Sequence, residues 1–185
     1  DRPPLDNKQV RRALALSLDR ELLTKRVTDK LRPPLRGLVP PKLPGALAAW
    51  PKADSARARQ LLQQEGYCAG QVLPLQLTYR SNVPTDRLLA LSWQEWLRSR
   101  LGDCVRLELT GMESTTAYRQ LGDGAFQMIL LDWMGDYPDA DNYLTPLLGC
   151  SKSEGNRCLA GDSALGGSFW TCLLYTSDAA DESRG

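Results

Sequence analysis

Apolar residues recur every four positions at Val10, Leu14, Leu18 and Leu22, which draws one stripe along a helix. Asp6, with Gln9 three positions on, has the form of a capping box at its start. Asp19 is equally suited to cap a second helix opening at Arg20, so a bend is expected there. The next stretch, residues 31–53, holds Pro33, Pro34, Pro40, Pro41, Pro44 and Pro51. Proline lacks an amide donor, which rules out a long helix or a central strand. This stretch is expected to run extended over the surface, with Trp50 anchoring it. Asp54 or Ser55 then caps a short helix that turns Leu61 and Leu62 inward and ends at Gly66.

Leu73, Leu75, Leu77 and Tyr79 alternate with Pro74, Gln76 and Thr78, the pattern of a strand with one buried face. Pro74 suggests an edge or entry position. A helix is predicted from about Pro84 to Leu101, with Gly102 as its stop and Leu89, Trp93, Trp96, Leu97 and Leu101 on one face. Val105, Leu107 and Leu109 alternate again. A short helix over 114–121, with Tyr118 and Leu121 inward, leads through Gly122-Asp123-Gly124 to Phe126–Leu131. That run is nearly all apolar, as in a strand covered on both faces. Strands and helices therefore alternate from 73 to 131, which predicts an α/β fold: a parallel or mixed sheet with packed helices.

Composition changes this picture little. The chain has 185 residues and a net charge of +1, so nothing points to nucleic acid or an anionic membrane as partner. Histidine is absent. That removes Ser-His and Cys-His nucleophile pairs and histidine metal sites. No two of the five cysteines have C-x-x-C spacing. Cys150 and Cys158 close a short polar loop and suit a disulfide in an oxidising compartment, or stand as two free thiols. Cys68 and Cys104 have no pairing that the sequence assigns.

In open α/β sheets, ligands sit beyond the carboxyl ends of the strands. Beyond Leu131 runs Asp132-Trp133-Met134-Gly135-Asp136-Tyr137-Pro138-Asp139-Ala140-Asp141-Asn142-Tyr143. Asp139, Asp141 and Asn142 are oxygen donors, but the calcium-loop pattern and its distal glutamate are missing. A carboxylate beside aromatic rings also suits an organic ammonium, which pairs with the charge and lies over a π face. A solvated acidic turn broken by Pro138 fits the chemistry equally well. Asp132 with Asp136 is also a candidate carboxylate dyad for a hydrolase.

Four segments sharpen the choice. They are Asp6-Asn7-Lys8-Gln9-Val10-Arg11-Arg12-Ala13-Leu14; Ala53 to Tyr67, with Ala58-Arg59-Gln60-Leu61-Leu62 and Glu65-Gly66-Tyr67; Leu75-Gln76-Leu77-Thr78-Tyr79; and Trp133 through Leu144. In that order they resemble the C-terminal half of the extracytoplasmic solute-binding proteins for oligopeptides and dipeptides, over about residues 5–171. The resemblance implies one incomplete lobe of a two-lobed α/β protein that closes on its ligand and delivers it to an ABC permease in the membrane. It implies a monomer without enzymatic activity or cofactor. It also implies a periplasmic or otherwise extracytoplasmic place, as a lipoprotein in many members. In its peptide-binding members the aspartate of Trp-x-x-Asp-Tyr pairs with the ligand's α-ammonium. Carried over, Asp136 holds the ammonium, Trp133 lies near the ligand's side chains and Tyr137 supports the loop. Relatives that take nickel, haem, glutathione, opines or sugars keep the ligand open, and the residues for a peptide's carboxylate are not assigned.

Residues 1–131 are then expected to form most of one lobe, and 132–171 the ligand loop and a crossover toward a second lobe. The last 14 residues, from Cys172, resemble a translated sequencing-library adapter and are expected to be non-native. Taken alone, the chain is expected to bind peptide very weakly.

Overall fold

The first helix, α1 (Lys8–Ser17), begins one residue later than the capping-box pattern predicts. In the computed structural model, which describes residues 3–28, 33–154 and 157–162, the cap is Asn7. Its side-chain oxygen accepts from the amides of Gln9 (2.8 Å) and Val10 (3.3 Å). Its Nδ2 donates to Glu65 Oε2 at 2.6 Å, so one side chain both caps α1 and ties it to the end of α3 (Ser55–Gln64). An aspartate cannot donate in that second bond, which accounts for the shift from Asp6 to Asn7. The expected bend falls at Leu18–Asp19. α2 (Arg20–Thr28) follows, with Leu22 N donating to Asp19 Oδ1 at 2.9 Å. The bend resets the helical phase, so Leu23 rather than Leu22 is the buried residue of α2.

The proline-rich stretch follows the surface, as its sequence predicts. It is fastened to α2 by the Arg36–Glu21 ion pair and by the Arg20 guanidinium, 3.8 Å above the centre of the Trp50 ring. Asp54 caps α3 through the Arg57 amide at 2.9 Å. Gly66 then takes φ +87°, a left-handed conformation that glycine enters without steric cost.

Three parallel strands make the sheet, in the order β2-β1-β3. β1 (Leu73–Arg80) pairs with β2 (Val105–Met112) from Leu73↔Val105 to Arg80↔Met112. Between them in sequence runs α4 (Pro84–Leu101). After β2, α5 (Ser114–Leu121) carries the chain to β3 on the other side of β1. β1 is thus the central strand, and Pro74 sits at its entry rather than at an edge. The Leu73 amide points to β2 and donates to Cys104 O at 2.8 Å. Pro74 faces the β3 side, where pairing starts only at Leu77↔Met128, so no ladder bond is lost there.

β3 is shorter than the apolar run predicts. It spans only Met128–Ile129 and is half-buried. The run 126–130 is half-buried and Leu131 exposed, so the burial of both faces expected of Phe126–Leu131 is not found, and β3 is an edge strand. Tyr118 also departs from expectation. Ala117 is the buried residue of α5, and the Tyr118 ring stands 47% exposed.

The core lies between the sheet and α1, α3 and α4. Leu73, Leu75 and Leu77 from β1 meet Leu61 and Leu62, Val10 and Leu14, and Trp93, Leu97 and Leu101. Burying each such side chain is worth about 1.5–3 kcal/mol. A disulfide joins Cys68 to the fully buried Cys104, Cα atoms 4.0 Å apart, across the amino ends of β1 and β2. Beyond the sheet, α6 (Asp141–Leu148) leads to an antiparallel ribbon of β4 (Lys152–Glu154) and β5 (Arg157–Ala160), bridged by Cys150–Cys158. No helix among the described residues is long and apolar enough to cross a membrane. The tail from Cys172 lies outside the described residues.

Candidate functional site

The strand order reverses between β1 and β3, and the loops beyond their carboxyl ends define the place where open α/β sheets take ligands. β1 ends there in Arg80, which is 5% exposed. A buried guanidinium demands anions, and Arg80 has two. Its Nε donates to Asp86 Oδ2 at 2.7 Å and its Nη2 to Asp86 Oδ1 at 3.0 Å, a fork-to-fork pair with the first turn of α4. Its Nη1 donates to Asp132 Oδ1 and, at 3.2 Å, to the Tyr118 hydroxyl. That hydroxyl lies 3.3 Å from the same Asp132 oxygen. Arg80 thus joins β1, α4, α5 and the first residue of the acidic loop. The hydrogen bond from Arg80 holds the Asp132 carboxyl below the usual carboxylate range, and the bonds that Arg80 donates to Asp86 raise the guanidinium further.

The loop itself is organised by Asn142, buried at 4% exposure in the first turn of α6. Trp133 Nε1 donates to Asn142 Oδ1 at 3.2 Å, and Asn142 Nδ2 donates to Tyr137 O at 3.4 Å. One amide thus spans the turn. The Tyr137 hydroxyl donates to Asp141 Oδ2 at 3.4 Å, and partial desolvation together with the charge of Asp141 pushes its phenol up. Gly135 leaves room for the Tyr143 ring: a Cβ there would lie 2.8 Å from Tyr143 Cζ and push the end of that side chain aside.

Trp133, Asp136 and Tyr137 are all exposed on this turn, the two rings by about half (49% and 50%). Among the described residues the Asp136 carboxylate has no hydrogen bond or ion pair. Its loop neighbours are committed elsewhere. Asp139 Oδ1 accepts from the Asp141 amide at 2.8 Å, and Asp141 accepts from Thr145 and Tyr137. The calcium reading loses its donors to these bonds, and no three acidic or thiol side chains converge for a metal among the described residues. In the dyad reading Asp132, paired with Arg80 and lowered in pKa, is unsuited to be the proton donor.

The Arg80–Asp132 bond has a pH signature. A carboxyl whose folded pKa is depressed adds stability above its unfolded pKa, about 3.9. That stability is lost as pH falls through the lower folded value. Thermal melts between about pH 4 and 2 are expected to show Asp132→Asn losing less stability than the parent, by up to about 1 kcal/mol because Asp132 is solvent-exposed. Parallel curves for the two proteins would rule the contribution out.

Arg80 is not among the residues the sequence singles out, whereas Asn142 enters there only as an oxygen donor for calcium and Tyr118 only as an inward residue of the helix over 114–121. Arg80 lies one residue past the alternation and on the opposite face of β1 from Leu73, Leu75 and Leu77. The available signal was an arginine closing an apolar strand, with Asp86 in the first turn of the helix that follows.

Comparison with known proteins resolves the family. The family described as Bacterial extracellular solute-binding proteins, family 5 Middle, matches residues 1–155. The chain belongs to this family. Among family 5 relatives, it is 32% identical over 166 residues to the probable deoxycholate-binding periplasmic protein YgiS of Escherichia coli (strain K12), covering 84% of this chain and 29% of that one. It is 26% identical over 158 residues to the periplasmic oligopeptide-binding protein OppA of the same strain, covering 82% of this chain and 28% of that one. Among solved family 5 structures, Burkholderia pseudomallei OppA superposes with a TM-score of 0.69 at 30% identity, over 89% of this chain and 32% of that one. The open form of the murein tripeptide-binding protein MppA gives 0.68 at 26% identity, over 80% and 29%. The chain therefore spans about three-tenths of the length of these relatives, and its open sheet with packed helices corresponds to part of their α/β fold.

Proposed function

We propose that this chain carries the ammonium-binding side of a peptide site in the binding component of an ABC importer. One observation carries the reading: among the described residues the exposed Asp136 carboxylate has no partner, and it shares a turn with the half-exposed Trp133 and Tyr137 while the neighbouring Asp139 and Asp141 are occupied. An ammonium placed there pairs with the carboxylate and lies over a π face. Trp133 and Tyr137 then flank the first residue of the ligand, and main-chain bonding of an extended peptide adds affinity with little regard for its side chains. The names of OppA and the di/tripeptide-binding relatives support a peptide ligand. In this reading residues 1–131 supply most of one lobe, and 132–171 the ligand loop and the way to the other. The protein works outside the cytoplasm as a monomer, free or lipid-anchored, and hands its ligand to a membrane permease without turning it over. Disulfides at Cys68–Cys104 and Cys150–Cys158 suit that compartment.

The test is calorimetry on the two-lobed protein this reading implies, with trialanine and N-acetyl-trialanine. Asp136→Asn is expected to weaken trialanine binding about tenfold or more, the scale of one charge-assisted hydrogen bond, and to leave the acetylated peptide little changed. Equal losses for both peptides, or none, would remove Asp136 from the site.

A second reading keeps the family and changes the ligand. It draws on the similarity to the probable deoxycholate-binding protein and on the exposed faces of Trp133, Met134 and Tyr137, which suit a flat apolar ligand. Asp136 opposes it by repelling an anionic steroid. Under this reading deoxycholate binds, and Asp136→Asn strengthens that binding.

A further inference from the structure

We propose that Arg80 is the positioning residue of the ligand loop, acting through Asp132 and Tyr118 and not by touching the ligand. The inference rests on the loop from Asp132 to Tyr143 being the ligand loop. All three guanidinium nitrogens of Arg80 already donate within the protein: Nε and Nη2 to Asp86, Nη1 to Asp132 and Tyr118. Its side chain is only 6% exposed. Such a group has little left to offer a ligand, but it is well placed to fix what surrounds it. Its backbone is held in register opposite Met112, and Asp86 locks its fork against α4. Its remaining nitrogen therefore points at a fixed spot, and Asp132 occupies that spot.

Asp132 is the first residue of the acidic loop and stands four residues before Asp136. Beyond β3 the sheet offers this loop little: the strand is two residues long, and the last backbone bond joining it to β1 is Leu130 N to Thr78 O at 2.9 Å. The far end of the loop is held by α6 through Asn142. The near end is held by Arg80. Between these two anchors the loop presents Trp133, Asp136 and Tyr137, so releasing Asp132 frees the side of the turn that leads into Asp136. Arginine is suited to this task because its planar fork fixes direction, which a lysine ammonium does not.

The experiment is backbone amide NMR relaxation on the 185-residue chain, read as order parameters. Asp132→Asn is expected to lower the order parameters across 131–137 into the flexible range, below about 0.6, while amides of β1, β2 and α4 stay near about 0.85. Arg80→Lys keeps the charge but loses the fork, and is expected to loosen the same segment. Tyr118→Phe, from an exposed position, is expected to do so more weakly. A pH series separates positioning from general stabilisation. In the parent the loop loosens only below the usual carboxylate range, where Asp132 becomes protonated, and in Asp132→Asn it is already loose at neutral pH and insensitive to that range. Unchanged order parameters across 131–137 in Asp132→Asn overturn the proposal, as does loosening spread evenly over the sheet. The peptide reading fails separately. Asp136→Asn is expected to leave the loop's order parameters unchanged, so if it also leaves peptide affinity unchanged, the ligand assignment falls while the loop result still decides the role of Arg80.

Discussion

Replacing Asp86 by alanine is expected to destabilise the fold by about 3 kcal/mol, the cost of leaving a buried charge without its partner. The side chains of Arg80 and Asp86 are 6% and 12% exposed, so water cannot replace the lost carboxylate. Asp132 remains as one counter-ion, which places the effect at the lower end of the range for broken buried pairs. Denaturant unfolding of the single variant measures it. The double variant Asp86→Ala, Arg80→Met is expected to recover most of the loss, because removing both charges removes the desolvation penalty. A double variant as unstable as Asp86→Ala would mean that packing around Asp86, and not its charge, is what matters.

The second large effect concerns the cysteines. Cys68 and Cys104 are 36 positions apart and Cys150 and Cys158 only 8. On the chain-entropy argument, the longer loop contributes about 4 kcal/mol and the shorter about 2.5 kcal/mol. Cys104 is also fully buried in the main core, whereas the other bridge ties a ribbon outside it. Replacing Cys68 and Cys104 together by alanine is therefore expected to lower the midpoint of denaturant unfolding more than replacing Cys150 and Cys158. The reverse order would place the weight of the fold on the ribbon.

Much of this architecture was legible in the chain. Periodicity placed α3, α4, α5 and β1 within a residue or two and found the start of β2, whose alternation ends at Leu109 although the strand runs on to Met112. Asp19 and Asp54 announced their helices because an N-cap acts on amides two or three residues away. The misses share a cause: each depended on a partner distant in sequence. Asn7 displaced Asp6 as the cap because Glu65, 58 residues on, accepts its amide. Tyr118 turned outward because Arg80 and Asp132 offered its hydroxyl a place. Phe126–Leu131 reads as a strand covered on both faces from its apolar content, yet its residues are only half-buried or exposed. The Cys68–Cys104 bridge joins residues that no local spacing relates. At the site, the run from Trp133 to Tyr137 stood out by composition and by resemblance. What holds that run in place, Arg80 and Asn142, is a matter of contact, and periodicity carries no record of it.

Because β1 and β2 run parallel, their starts lie together at one end of the sheet and their finishes at the other. The starts are closed by a sulfur bridge between Cys68 and Cys104, the finish of β1 by a guanidinium between two carboxylates. The two fasteners answer to different variables, one to redox potential and the other to acidity. A reductant at neutral pH should fray the sheet from the end remote from Asp136, and acid under oxidising conditions from the end that carries it. The end that carries Asp136 can therefore loosen while the opposite end stays closed.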